Sequence, residues 1–171
     1  MSFRSTANGF TFVRGLVDGG LPDRLRRDFY WYGLEWCYRG LPRRILCETF
    51  LKGDDGQSPW DYKVLCFNGE PRIVWVDVDR YTRHQRAFYD PGWNRLACRS
   101  SWIEPTDAEF PRPPQLEQLL AAARTLSAGY PFMRVDFYVV GDRPLFGEIT
   151  LYPGGGNEAF LPLSFDEEVG S

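Results

Sequence analysis

The chain has 171 residues, one domain's length, with a formal net charge of −3 and its acidic and basic residues interspersed. That length can bury a sizeable core, and the balanced charge excludes the basic footprint of a nucleic-acid binder. No apolar run approaches the ~20 residues that span a bilayer, and the opening "MSFRSTANGF" lacks the apolar centre of a signal peptide.

Cys37, Cys47, Cys66 and Cys98 are scattered without a paired spacing, and His84 is the only histidine. A zinc site is therefore not expected, and reduced thiols in the cytoplasm are. Six Trp, nine Tyr and thirteen Phe are first of all core material, with stacking on sugars or bases the lesser reading.

In chain order, residues 23–39, "DRLRRDFYWYGLEWCYR", suggest a helix ending near Gly40, although the aromatics blur its type. "RILCETFL" (44–51) has strand composition, and "LKGDDGQSP" is a polar loop. "DYKVLCF" and "EPRIVWVDV" flank Asn68-Gly69, a strong signal for a tight hairpin. Residues 79–114 are rich in proline and aromatics, with no periodicity. A connection of that length usually carries function or folds over a site. Within it, Arg80, Arg83, His84 and Arg86 make a basic cluster that either holds an anion or is a solvated loop. "PQLEQLLAAARTLSAG" places Leu116, Leu119, Leu120, Ala123 and Leu126 on one helical stripe and stops at Gly129.

The last third raises the functional question. In 132–140, Met133, Val135, Phe137 and Val139 alternate with Phe132, Arg134, Asp136 and Tyr138. In 145–152, Leu145, Gly147, Ile149 and Leu151 alternate with Phe146, Glu148, Thr150 and Tyr152. Both runs have the period of half-buried strands, and "GDRP" between them supplies a turn. A loop of Gly141, Asp142 and Arg143 would oppose Asp136 to Glu148 and Arg134 to Thr150, all on one face, whereas an even-numbered loop would send Glu148 to the other. Opposed carboxylates about 5 Å apart need a cation or a proton between them. Oxygen-only ligands suit magnesium, which completes its shell with phosphate and water. The alternative on spacing alone is a surface ion cluster in which Arg134 pairs with Asp136 or Glu148.

"RVDF", a short turn, "GEIT" and "YPGGG" resemble the C-terminal signature of ATP-grasp enzymes. With "ILCETFL" and "DYKVLCFNGEPRIVWVDVDRYTRHQRAFYD", the pattern is similar to the TupA-like ATP-grasp proteins over roughly residues 9–162. The resemblance implies an α+β fold, an antiparallel sheet with flanking helices, forming the C-terminal lobe of an ATP-grasp domain. It implies ATP and Mg2+ as cofactors, with Asp136, Glu148 and Thr150 on the metal. Thr150 stands where most ATP-grasp enzymes have asparagine. Arg134 would clamp a phosphate or acyl phosphate, and Arg86 would hold the γ-phosphate or an anionic acceptor. The backbone of Glu48, Thr49, Phe50 and Leu51 would bond the adenine edge. Asp61 and Lys63 would flank the nucleotide, unless Lys63 simply pairs with Asp61. "PGGG" gives backbone amides room near a ligand or is a plain glycine turn.

The implied activity is carboxylate–amine ligation through an acyl phosphate, on a small-molecule or glycan-precursor substrate of cell-surface polysaccharide synthesis. A non-catalytic remnant that binds such a precursor or a partner subunit, and a sugar phosphotransferase, are the competing readings. The family's early phosphate-binding lysine has no counterpart here. Lys52 is the first lysine, and Arg4 is the nearby cation at "STANG". Residues 1–171 are thus expected to form a single partial domain, completed by a complementary chain or in a homo-oligomer. Alone it is expected to bind ATP weakly, to show no turnover and to expose an apolar patch near Phe3, Phe10 and Phe12.

Overall fold

The computed structural model describes residues 3–5, 11–13, 30–42, 51–53, 59–78 and 84–170. The chain divides into two compact units, Met1–Leu51 and Lys52–Ser171.

In the first unit, β1 (Phe3–Ser5) pairs antiparallel with β2 (Thr11–Val13), Phe3 opposite Val13. The side chains of the expected apolar patch lie outside the described residues. The continuous helix expected over 23–39 is not formed in its described part. The single turn α1 (Tyr30–Gly33) stops where Leu34 takes a left-handed φ of 56°, and a 3-10 turn follows at Trp36–Tyr38. Propensity gave way to aromatic packing: Tyr30 meets Trp31 edge-on at 5.0 Å, and the Arg39 guanidinium lies 5.1 Å over Trp36. The strand expected over 44–51 lies outside the described residues except for Leu51, which is not in a strand.

The second unit is built on strands β3 (Asp61–Phe67), β4 (Glu70–Val78), β5 (Gln85–Tyr89), β6 (Arg99–Ser100) and β7 (Glu104–Pro105). Helix α2 (Leu116–Ser127), the hairpin of β8 (Phe132–Val140) and β9 (Arg143–Thr150), β10 (Phe160–Leu161) and helix α3 (Leu163–Gly170) follow. Six strands form one sheet in the order β7-β5-β4-β3-β8-β9, antiparallel throughout except for the β5–β7 pair. The mixed content and the mainly antiparallel sheet agree with the α+β expectation.

The β3–β4 hairpin turns at Asn68 and Gly69, with φ of 51° and 82°, as the dipeptide predicts. Strand β5 corrects the reading of 79–114 as irregular throughout. Ala87 and Tyr89 pack on one face and Arg86 and Phe88 on the other, all buried. With both faces covered, the strand shows no polar–apolar alternation to detect.

Helix α2 covers one face of the sheet. Leu116, Leu119, Leu120 and Ala123 pack on residues that include Val64, Val76, Val135 and Phe137. The stripe is corrected at its end, where Leu126 is 40% exposed and Ser127 is buried. Eleven residues make about three turns, so Ser127 returns to the side of Leu116 and Leu126 falls about 80° away. On the opposite face, Leu65, Ile73, Trp75 and Phe88 pack beneath Phe160, Phe165 and Val169. That second face also carries the charges.

Candidate active site

Alternation along the strands aims Asp61 and Lys63 of β3, Asp77 of β4, Arg86 of β5 and Arg134 and Asp136 of β8 at the same side. The pairing then lines them up across the sheet. Asp77 stands opposite both Arg86 and Asp61, and Lys63 stands opposite Asp136. The result is a row of charged side chains in which two ion-paired groups meet where Asp61 stands opposite Asp77.

Lys63 Nζ lies 2.7 Å from Asp61 Oδ2 and also donates to Asp136 Oδ2. Arg134 donates to Asp136 through Nε at 2.7 Å and Nη2 at 2.8 Å, and reaches Glu148 Oε1 at 3.1 Å. Arg86 grips Asp77 with Nε at 2.6 Å and Nη2 at 3.1 Å, while its Nη1 donates to Glu158 Oε1. His84 Nε2 is 3.3 Å from Asp77 Oδ1. Trp75 lies beneath two of these cations, with Arg86 Cζ 4.1 Å and Arg134 Cζ 5.4 Å from its ring centre.

Asp136 is 1% exposed, so this is no surface cluster. The pair of Lys63 with Asp61, the alternative to a phosphate contact, is formed, and Asp136 joins it. Among the described residues Glu148, with a 63% exposed side chain, is the member of the row most open to solvent.

The route by which Glu148 reaches that face differs from the expected one. The β8–β9 turn is Gly141–Asp142, two residues, with Val140 paired to Arg143 and Phe137 to Phe146. That register alone would put Glu148 on the helix side. A β-bulge between Val135 and Phe137 sets Gly147 and Glu148 together against Asp136, and Arg134 then pairs with Thr150 as the sequence predicted. One extra residue cancels the slip caused by the shorter loop.

The electrostatics follow from the packing. Glu148 ionises above the usual carboxylate range, first through lost hydration and then through the neighbouring Asp136 carboxylate, which Arg134 and Lys63 only partly offset. Burial alone would raise Asp77. The hydrogen-bonded Arg86 guanidinium outweighs that, with help from Lys63 and His84, and holds Asp77 below the usual range.

Asp77 and Glu158 are central to the row but were not singled out from the sequence. Asp77 had a signal, since it shares the face of Trp75 in a strand whose Val74 and Val76 face the other way. Glu158 had none, because it follows a turn and acquires its role only through Arg86 and Ser100. Thr150 is half-buried at its position opposite Arg134. "PGGG" forms a 3-10 turn with Gly154 and Gly155 in left-handed conformations, and the Gly155 N–H donates back to Tyr152 O at 3.0 Å. Glu48, Thr49, Phe50, Arg80 and Arg83 lie outside the described residues.

A protein-family model described as TupA-like ATPgrasp matches residues 18–171, which makes this a protein of the ATP-grasp type. Within that class, the chain belongs to the TupA-like family. No curated protein and no solved structure matches it. No helix among the described residues is long and apolar enough to cross a membrane.

Proposed function

We propose that the charged face is the phosphate- and metal-binding half of an ATP- and magnesium-dependent carboxylate–amine ligase, working on a cell-surface polysaccharide precursor in the cytoplasm. The observation that carries this reading is the meeting of the Asp136 and Glu148 carboxylates with Arg134 on one face of adjacent strands. Among the described residues, Lys63 joins Asp136 to Asp61 and Arg134 joins Asp136 to Glu148, while Arg86 ties Asp77 to Glu158 in a second group. In the first group the Asp136 carboxylate opposes the ionisation of Glu148, which is where a cation is wanted. Among the described residues, no group of three or more His, Cys, Asp or Glu is placed to hold a metal by itself. Two carboxylates suffice for magnesium, which draws much of its shell from phosphate and water.

Asp136 and Glu148 would hold the ion, with the Thr150 hydroxyl as a further oxygen. ATP supplies the phosphoryl group that activates a carboxylate for attack by an amine, and magnesium neutralises its phosphates. The protein positions and compensates charge, as phosphoryl transfer requires. Lys63 fixes the Asp136 carboxylate by tying it to Asp61. Arg86 is a positioning residue, its guanidinium shared between Asp77 and Glu158. Arg134, the most exposed of the three cations at 11%, is the one suited to meet a phosphate or acyl phosphate. The backbone of residues 48–51 is assigned to the adenine edge by the family resemblance.

Calorimetric titration with ATP, with magnesium and with a chelator, tests the reading. Binding is expected only with magnesium and is expected to weaken at least tenfold in Glu148→Gln, on the scale of a lost charge-assisted ligand. Equal binding with the chelator, or unchanged binding in the variant, would overturn it.

A further inference from the structure

Beside the charged row lies a cavity of about 300 Å3, at the small end of ligand pockets. Leu65, Trp75, Phe132 and Phe160 supply much of its wall, and the segment that leaves the glycine turn closes one side. Among the described residues, the charged ones lining it are Glu158 and Asp166. Each uses one oxygen among the described residues. Glu158 Oε1 accepts from Arg86 and Ser100, and Asp166 Oδ1 accepts from the Phe160 N–H at 3.0 Å. Glu158 Oε2 and Asp166 Oδ2 take no part in those bonds.

We propose that this cavity is the acceptor subsite of the ligase, and that it takes a primary ammonium carried on an apolar group the size of one ring. The proposal rests on the ligase reading above and names its amine. Apolar walls favour a hydrophobic body through area removed from water. A carboxylate oxygen covered by a ligand with no donor loses hydration without a replacement, so a neutral apolar ligand is penalised. An anionic ligand meets the carboxylates of Glu158 and Asp166 and, among the described lining residues, no cation, since Arg86 is engaged on Oε1 of Glu158. A hard metal ion would need a shell of oxygens that these walls do not offer. An organic ammonium satisfies both the walls and the carboxylates.

The test titrates the full chain, without ATP or magnesium, with 2-phenylethylamine, 2-phenylethanol and 3-phenylpropionate. It is followed by calorimetry and by tryptophan fluorescence, since Trp75 lines the cavity. The amine is expected to bind about tenfold more tightly than the alcohol, and the acid more weakly than either, as a charge-assisted hydrogen bond implies. Asp166→Asn keeps the oxygen that accepts the Phe160 N–H and is expected to remove the amine's advantage while leaving the alcohol unchanged. The ligand series on the unaltered chain needs no variant to fold. Equal binding of amine and alcohol, tighter binding of the acid, or an amine advantage that survives Asp166→Asn would overturn the subsite. Such a failure leaves magnesium-dependent ATP binding standing. Amine selectivity without any magnesium-dependent ATP binding would instead sink the ligase reading and leave an ammonium site.

Discussion

Gly147 lies against Asp136 so closely that an ideal Cβ at residue 147 would come 3.1 Å from the Asp136 carbonyl oxygen, and 3.2 Å from Cε2 of Tyr138. The nearest atom is backbone in a paired strand and has little room to yield. The bulge that turns Glu148 toward the charged row therefore depends on a missing side chain. Gly147→Ala is expected to cost about 1–2 kcal/mol, the usual penalty of overpacking, and to weaken magnesium-dependent ATP binding by displacing Glu148. Urea denaturation and calorimetry on the same variant check both effects. Full binding in a destabilised Gly147→Ala protein would separate the bulge from the site.

Asp136→Asn reads differently in the structure than in the sequence. Two clustered carboxylates suggest that removing one relieves repulsion and leaves the fold intact or firmer. In the fold, Asp136 accepts from both Lys63 and Arg134 while 1% exposed. Removing its charge strands part of a buried ammonium and a guanidinium, at a cost of about 3 kcal/mol. Chemical denaturation at neutral pH is expected to show that loss. Unchanged stability would mean that Lys63 and Arg134 find other partners.

Glu148 gives the opposite sign. Its carboxyl ionises later in the folded chain than in the unfolded one, where the value is about 4.3. Between those two values the folded state binds more protons, so stability is fully present below about 4.3 and declines as pH rises through the folded value. Glu148→Gln is expected to remove that slope without destabilising the metal-free protein at neutral pH. Magnesium affinity should climb with pH over the same window, because the ion displaces the proton. Denaturation curves across that window, run on both proteins, decide the point; a slope that persists in Glu148→Gln belongs to another group.

Asp77 is expected to contribute to the acid limb of the fold's stability. Its ionisation is held low by Arg86, so its contribution is present above the unfolded value of about 3.9 and is lost as pH falls through the lower folded value. Asp77→Asn is expected to flatten the acid limb of the stability curve. Arg86→Lys is expected to cost about 2–4 kcal/mol, since an ammonium cannot grip both Asp77 oxygens and Glu158 together. Acid titration followed by circular dichroism, with urea denaturation of Arg86→Lys, measures these. An Arg86→Lys protein as stable as the parent would show the row to be looser than its distances.

Local pattern was enough for some of this. The Asn68-Gly69 hairpin, the helix ended by Gly129 and the shared face of Arg134, Asp136 and Thr150 each rest on a period or a turn residue within a few positions, and such signals survive without the rest of the chain. Other features were set by contacts far apart in sequence. Strand β5 carries no alternation because the sheet and its coverings bury both its faces. Glu158 is drawn in by Arg86, 72 residues earlier in the chain, and Lys63 is held by Asp136, 73 residues later. Even the shared face of Asp136 and Glu148 came from two offsetting departures, a shorter turn and a bulge. Spacing could not report either, because a register is a property of two strands in contact and not of one read alone.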